Sequence, residues 1–201
     1  MPVRWSEDGY PYMTEGDELV PMILKKSGAK LSAESRNGNF TIEDKFDTDK
    51  LSMEWLTLRS EAKDVYSLSE VAGKLLLRCS DKRASKYETP ALVVRRIQHT
   101  RFECTSEMTF NPAVGEEAGM ILFKDETHHY YISVAQTSEK RVVRLHKYGA
   151  AVNSETNESE KTDDILAEEP FEGDFAKLKI MSDGPSFSFL YSTGSDDWQT
   201  L

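Results

Sequence analysis

The chain has 201 residues, of which 38% are hydrophobic and 30% charged, a composition typical of one folded globular domain with an appendage, or of a single large β-sandwich. Its formal net charge of −10 argues against nucleic acid as a partner, because phosphate binding requires a basic surface. No stretch approaches 18 consecutive apolar residues, so the sequence predicts no membrane span. The two cysteines are too few for a disulfide framework.

The first 38 residues differ in character from the rest of the chain. They are rich in aromatic residues, Pro and Gly and show no repeating helix or strand period. Because Trp5, Tyr10 and Tyr12 are costly to leave in water, we expect this arm to pack against another surface. The polar stretch from Ser27 to Asn39 predicts a linker or surface loop. We therefore divide the chain into residues 1–38 and a single domain over residues 39–201.

From Phe40 onward, short runs of alternating apolar and polar residues are separated by turn residues. In the run from Arg101 to Phe110, residues such as Phe102 and Met108 face one side while Glu103 faces the other, the period that a half-buried strand requires. This spacing predicts an all-β fold, an antiparallel β-sandwich or jelly roll. The predicted strands are Phe40–Phe46, Trp55–Arg59, Tyr66–Glu70, Lys74–Cys79, Leu92–Arg96, Arg101–Phe110, Glu117–Phe123, Tyr130–Gln136, Arg141–Lys147, Ala176–Ser182 and Ser186–Tyr191.

Two further stretches carry expectations about loops and ends. The acidic run from Ser154 to Glu169 predicts a solvated loop between strands. Trp198 would begin another strand, but the sequence stops at Leu201. Because natural domains protect an open sheet edge, we expect a sandwich that is truncated at its C-terminal end.

Neither the cysteines nor the histidines predict a metal or a cofactor. Cys104 lies on the apolar side of its strand, which favours a buried free thiol, and a bridge between Cys79 and Cys104 stays open. His128 and His129 stand near Asp125, but a further strong ligand at a suitable spacing is missing. A hydrated turn is the favoured interpretation there.

Several blocks of the sequence resemble a known family. They are Phe46-Asp47 with Trp55, Leu58 and Arg59, then SLSEVAGKLLLR, SKYETPALVVRRIQH, GEEAGMILFKDETHHYYISV and FSFLYSTGSDDW. Together they resemble the C-terminal concanavalin A-like β-sandwich of family 43 glycoside hydrolases, of the β-xylosidase and α-L-arabinofuranosidase type. The segment PVRWSEDGYPY is similar to the end of that family's catalytic five-bladed β-propeller.

The resemblance implies an accessory domain of a glycoside hydrolase. Residues 1–38 would be the tail of a catalytic propeller plus a linker, and residues 39–201 the accessory sandwich. The implied partners are the chain's own propeller domain and xylo- or arabino-oligosaccharides, whose O-glycosidic bonds the parent enzyme would hydrolyse. The family's catalytic carboxylates lie on the propeller, so the resemblance implies no catalytic residue in this chain. It leaves homo-oligomerisation open, and also the compartment, cytoplasm or periplasm.

The resemblance also implies site residues. In the family an aromatic residue before the strand that contains the RR-x-QH block closes the substrate pocket, and Tyr87 stands at that place. Contact with the propeller is implied for Trp5 and for the strand-end residues Arg96, Gln98 and His99. Arg95, beside them, is interpreted as one half of a structural ion pair, with a glutamate such as Glu117.

Two alternatives stay open beside the accessory domain. An autonomous lectin-like module would bind glycans through exposed aromatic residues on its concave face, for which Tyr130, Tyr131 and Tyr148 are the candidates. A standalone glucanase would need two carboxyl groups flanking the scissile bond, and Glu103 and Glu107 lie on the same face of one strand. Glutamates on a solvent-facing side are the ordinary explanation for that pair.

Overall fold

The computed structural model of the chain divides into two units, residues 1–43 and 44–201. It describes residues 3–14, 17–20, 38–152, 159–194 and 197–201. In the first unit, strands β1 (Arg4–Trp5) and β2 (Pro11–Tyr12) form an antiparallel hairpin. The hairpin turns at Gly9, where φ is 84°, a value that favours glycine. Most of the predicted linker, residues 27–37, lies outside the described residues.

Short elements open the second unit. Strand β3 (Trp55–Thr57) pairs with β6 (Val93–Arg95), and β4 (Tyr66–Ser67) pairs with β5 (Leu76–Leu77). Between β3 and β4 lies the four-residue helix α1 (Ala62–Val65). Across the described residues, no helix has the length and apolar character needed to cross a membrane.

Two four-stranded antiparallel sheets form the body of the second unit. The first has the strand order β11-β10-β9-β8 and the second the order β14-β13-β12-β7. These strands are β7 (Arg101–Thr109), β8 (Glu117–Asp125), β9 (His128–Gln136), β10 (Arg141–Val152), β11 (Ser159–Pro170), β12 (Phe175–Asp183), β13 (Phe187–Ser192) and β14 (Gln199–Thr200). The arrangement confirms the predicted all-β antiparallel sandwich.

The hydrophobic core lies between the two sheets. Strand β12 alternates along its length, with Ala176, Leu178 and Ile180 buried and the residues between them turned away. The first sheet supplies its own alternate residues, among them Ile132 on β9 and Val143 on β10. Each large aliphatic side chain buried in this way contributes about 1.5–3 kcal/mol of transfer free energy. The period-2 pattern of the sequence therefore corresponds directly to the packing of the core.

The opposite face of the first sheet is also largely buried, and several of its buried side chains are polar. His129, Ser133 and His146 point away from the core, and each is less than 6% exposed. Buried polar groups require hydrogen-bond partners, so this face must contain an internal polar network. Arg59, just after β3, forms an ion pair with Glu126 in the turn between β8 and β9. This pair connects the segment that follows β3 to the end of the first sheet where that turn lies.

The acidic run is a strand rather than the predicted loop. Strand β11 pairs with β10 from Ser159 opposite Val152 to Pro170 opposite Val142, with a register shift between Leu145 and His146. It is the outermost strand of its sheet in the described structure. An outer strand tolerates charged side chains because they stay hydrated, and charges there discourage pairing with other chains. The rest of the run, residues 154–158, lies outside the described residues.

The predicted strand Phe40–Phe46 is absent from the described residues. Instead, Asp44 organises a local turn, accepting a hydrogen bond from the Phe46 backbone N–H at 3.0 Å. Its other carboxylate oxygen accepts one from the Trp55 indole N–H at 2.8 Å. Phe46 has a positive φ of 52°, which a strand cannot contain. The apolar alternation of this stretch was misleading because side-chain bonds of Asp44 compete with strand pairing.

Both cysteines are free and exposed, so the prediction of a buried thiol at Cys104 was wrong. Cys104 pairs with the buried Ile180 and so shares its sheet face, which is the apolar side that the alternation predicted. However, β7 is the outermost strand of its sheet in the described structure, so its side chains have a neighbouring strand on one side only.

Candidate functional site

The loop that contains Tyr87 is held by Arg59. The Arg59 guanidinium donates hydrogen bonds to the backbone carbonyl of Glu88 at 2.7 and 3.0 Å and to that of Lys86 at 3.2 Å. These two carbonyls flank Tyr87, and the guanidinium carbon lies 5.8 Å from the centroid of the Tyr87 ring. The Tyr87 side chain itself is 80% exposed. An exposed ring is thus presented on a backbone that one arginine fixes on both sides.

Arg59 occupies an unusual backbone conformation for this task. Its φ of 57° lies in the left-handed region, which costs a non-glycine residue free energy. In this conformation the side chain contacts three groups, which are the two loop carbonyls and the Glu126 carboxylate. Sequence reasoning placed Arg59 in a family block but assigned it no role. The contacts join residues far apart in the chain, and no local pattern encodes them.

A cleft of about 470 Å³ lies beside the Tyr87 loop. The loop contributes one wall, and the other walls come from the β8–β9 turn and from strands β10 and β11. The Lys161 ammonium group lies 5.9 Å from the Tyr87 ring centroid, which links the two features. The residues that line the cleft are Arg83, Ser85, Lys86, Glu126, Thr127, Tyr148, Gly149, Lys161, Thr162 and Asp163.

A buried polar network surrounds His146 and reaches the cleft at Asp163. Nδ1 of His146 lies 2.8 Å from Oδ1 of Asp163, and its Nε2 lies 3.5 Å from Oε2 of Glu117. The Ser133 hydroxyl donates to the same Glu117 oxygen at 3.0 Å. Three strands, β8, β10 and β11, therefore supply one histidine and its two carboxylates.

The network shifts the pKa of its members in opposite directions. Burial lowers the pKa of His146, but hydrogen bonds and attraction from Glu117 and Asp163 outweigh burial and raise it above its ordinary 6.5. Burial raises the pKa of Glu117, and the bonds from His146 and Ser133 outweigh it and hold the pKa below its ordinary 4.5. Each group thus favours the charged form of the other.

Of the three tyrosines predicted to contact glycans, Tyr148 alone lines the cleft. Its ring stacks on His129 with centroids 4.2 Å apart, and burial raises its pKa to about 12, so its hydroxyl keeps its proton at neutral pH. Tyr131 lies on the same side of the sheet, where burial raises its pKa strongly. Tyr130 lies on the other side and packs against Phe189 in the core, with centroids 5.4 Å apart. The three tyrosines therefore do not share one binding face, and glycan contact stays a prediction.

The residues predicted to contact a propeller are all exposed. Trp5 is 68% exposed in the hairpin of the first unit, and Arg96, Gln98 and His99 are exposed after strand β6. Exposure is compatible with the predicted contact, which stays a prediction.

Arg95 forms a structural ion pair, as interpreted from the sequence, but with a different glutamate. Its partner is Glu54 rather than Glu117, and it reaches that carboxylate at the end of the β3–β6 pair. Glu117 is engaged by His146 and Ser133 instead. The sequence could not distinguish these glutamates, because the choice depends on which strands neighbour each other.

The two glutamates on β7 do not form a catalytic pair of the expected kind. Glu103 lies 3.0 Å from the Lys179 ammonium and Glu107 lies 3.4 Å from that of Lys177, both across the β7–β12 ladder. Each carboxylate therefore has its own cation on a solvent-facing sheet surface.

The turn at Asp125 is stabilised by hydrogen bonds within the turn. Asp125 accepts hydrogen bonds from the backbone N–H and the hydroxyl of Thr127, each at 2.8 Å, and lies 3.1 Å from Nδ1 of His128. The His129 ring contacts the Asp125 carbonyl at 3.0 Å. Among the residues that the structure describes, no cluster of three metal-ligating side chains is present.

Comparison with known proteins agrees with this architecture. The family described as the beta xylosidase C-terminal concanavalin A-like domain matches residues 43–201. A non-reducing end alpha-L-arabinofuranosidase of Bacteroides ovatus is 25% identical over 148 residues, which cover 73% of this chain and 27% of that protein.

Solved structures give the same picture of the fold. A GH43_12 protein from a capybara gut metagenome superposes with a TM-score of 0.76 at 23% identity, over 100% of this chain and 37% of that one. A xylan beta-1,4-xylosidase of Bacillus halodurans gives a TM-score of 0.70 at 22% identity, over 99% of this chain and 37% of that one.

The chain thus spans little more than a third of the length of these solved relatives and about a quarter of the arabinofuranosidase. The relatives are longer proteins in which this domain is one part. Because the family match extends over most of the chain, and the two packed antiparallel sheets agree with it, the chain belongs to the family of β-xylosidase C-terminal concanavalin A-like domains.

Proposed function

We propose that this chain acts as the accessory β-sandwich of a glycoside hydrolase that cleaves xylose- or arabinose-containing oligosaccharides. Its tasks are to stabilise a catalytic β-propeller domain and to complete that domain's substrate pocket with the Tyr87 loop. The names of the relatives, a xylosidase and an arabinofuranosidase, support this substrate class.

The observation that carries the proposal is the exposed Tyr87 ring on a backbone that Arg59 fixes on both sides. A sugar or a neighbouring domain gains most from an aromatic surface that needs no ordering on contact, because the entropy cost of binding is then small. The Arg59 contacts to the carbonyls on either side of Tyr87 supply that order.

The test combines the 201-residue chain with the separately produced propeller domain that we propose as its partner. Hydrolysis of an aryl xyloside and an aryl arabinofuranoside is measured with and without the chain. We expect the chain to raise the propeller's activity and the Tyr87→Ala variant to raise it less. Val114→Ala, in the loop before β8, truncates another exposed apolar side chain and serves as the control. An equal effect of the Tyr87→Ala variant and the wild type contradicts the role of Tyr87.

An autonomous carbohydrate-binding module is the second candidate. The position of Tyr148 in the cleft favours it, because the ring hydroxyl and the neighbouring Thr162 offer hydrogen bonds to a sugar. Calorimetric titration of xylo- and arabino-oligosaccharides into the chain alone separates the two candidates. Saturable binding that Tyr148→Ala abolishes supports the binding module. No binding by the chain alone, together with an increase in the propeller's activity when the chain is added, supports the accessory domain.

A further inference from the structure

The cleft beside the Tyr87 loop concentrates positive charge on a chain whose net charge is −10. Three cationic side chains line it, those of Arg83, Lys86 and Lys161. Within the described residues, none of the three forms an ion pair; Lys161 contacts the Tyr87 ring instead. Arg83 lies close enough to Tyr148 for its charge to act on that hydroxyl, in the direction that lowers the pKa.

The carboxylates that line the cleft are already engaged by other cations. Glu126 is paired with Arg59, and Asp163 accepts from His146, which the network holds toward its charged form. The two carboxylates together therefore do not fully neutralise the charge of the three lining cations. A cleft with this balance attracts an anion, because field lines concentrate in a concave site.

The remaining groups of the cleft suit a polyhydroxylated ligand. Thr127, Thr162 and Tyr148 line its walls and carry hydroxyl groups, of which that of Thr127 already donates to Asp125. Hydroxyl groups both donate and accept hydrogen bonds, as the hydroxyl groups of a sugar do. The volume of about 470 Å³ is within the usual range for small-ligand sites.

We propose that this cleft binds a carboxylated sugar, such as a uronic acid residue of an acidic oligosaccharide. Its carboxylate meets Arg83, Lys86 and Lys161, and its hydroxyl groups meet the threonine and tyrosine hydroxyls. The choice of a sugar as the carrier of the carboxylate rests on the proposed function, whereas the anion site does not.

The test is an NMR titration of the 201-residue chain with sodium D-glucuronate, at pH 7 and constant ionic strength. D-Glucose provides the sugar without the charge, and sodium acetate provides the charge without the sugar. We expect saturable shifts of the amide signals of cleft residues with glucuronate. D-Glucose lacks the carboxylate and acetate lacks the hydroxyl groups, so each loses one of the two sets of contacts and should bind about tenfold more weakly.

Matched variants locate the site. Lys161→Gln and, separately, Arg83→Gln should each weaken glucuronate binding about tenfold or more, the effect of one lost charge-assisted hydrogen bond. Lys140→Gln, in the turn before β10, changes the net charge equally and should leave binding unchanged. The position lies about 25 Å along the strand from Tyr148, at roughly 3.3 Å per residue.

Three outcomes would overturn the proposal: no saturable binding of glucuronate, equal binding of acetate, or full binding by both cleft variants. Equal binding of acetate would mean a plain counterion site. Because the titration uses this chain without a catalytic domain, its failure leaves the accessory role untouched. Failure of the propeller experiment likewise leaves the anion site intact.

Discussion

Arg59 and Tyr87 form a unit in which the guanidinium lies 5.8 Å from the ring centroid and binds the backbone on either side of the ring. Arg59 thereby fixes the backbone on both sides of the exposed ring. The planar guanidinium can reach two carbonyls and a carboxylate at once, which a lysine ammonium group on its flexible stem cannot do with the same geometry.

The Arg59→Lys variant should therefore loosen the Tyr87 loop while keeping the charge. We expect amide hydrogen exchange to accelerate over residues 83–90, with a loss of at most about 1.5 kcal/mol in the free energy of unfolding, because the lost contacts are partly hydrated. Hydrogen exchange read by mass spectrometry checks this. As a control, Arg78→Lys, whose partner Glu70 is exposed, should leave that segment unchanged. Unaltered hydrogen exchange of residues 83–90 in Arg59→Lys would show that the order of the loop does not depend on Arg59.

The His146 network should make stability depend on pH in a defined direction. Because the folded pKa of His146 is raised, its contribution is complete below the unfolded value near 6.5 and is lost as pH rises through the folded value. The advantage of the wild type over His146→Gln in unfolding free energy should therefore shrink as pH rises above about 6.5.

Urea unfolding at several pH values measures this difference. Taking the difference between wild type and variant removes the opposite contribution of His129, whose pKa burial lowers. His128→Gln, at an exposed ring, serves as the control and should retain the pH dependence. A difference between wild type and His146→Gln that stays constant with pH would rule out a charged His146.

Protonation of Glu117 should weaken the same network at low pH. Its pKa is lowered in the fold, so its contribution is complete above the ordinary value of 4.5 and is lost as pH falls through the folded value. Glu117→Gln should therefore cost most stability at about pH 6 and progressively less as pH falls below about 4.5. Thermal unfolding across that range provides the measurement, with Glu107→Gln, on the other sheet, as the control.

The core of the sandwich offers a direct test of the fold. Leu178 is fully buried between the sheets, so Leu178→Ala should lower the free energy of unfolding by about 2–5 kcal/mol. Leu166, on the outermost strand β11, is 52% exposed, and Leu166→Ala should cost less than about 0.5 kcal/mol. Similar losses in both variants would contradict the arrangement of the two sheets.

Hydrolysis by the chain alone is not expected. Glu103 and Glu107 each face solvent beside a separate lysine of β12, so they do not form a pair of carboxyl groups that flanks a scissile bond in an enclosed site. The isolated chain should release no aryl alcohol from aryl xylosides above the background rate. Turnover that disappears in Glu103→Gln or Glu107→Gln would contradict this expectation.

The sequence by itself determined the fold class and the position of most long strands. The alternation in β7, β9 and β12 is a local pattern, and burial of one strand face is enough to require it. The family blocks likewise lie within continuous stretches. Membership of the family could therefore be inferred before any contact between distant residues was known.

The tertiary structure alone decided how distant residues combine. The acidic run became strand β11 because β10 offered it a pairing partner, and charged side chains are tolerated at a sheet edge. The clamp of Arg59 on the Tyr87 loop, the placement of His146 between two carboxylates, and the cationic cleft each join separate elements. Local periodicity cannot encode such contacts, because they arise only when packing brings different strands and loops together.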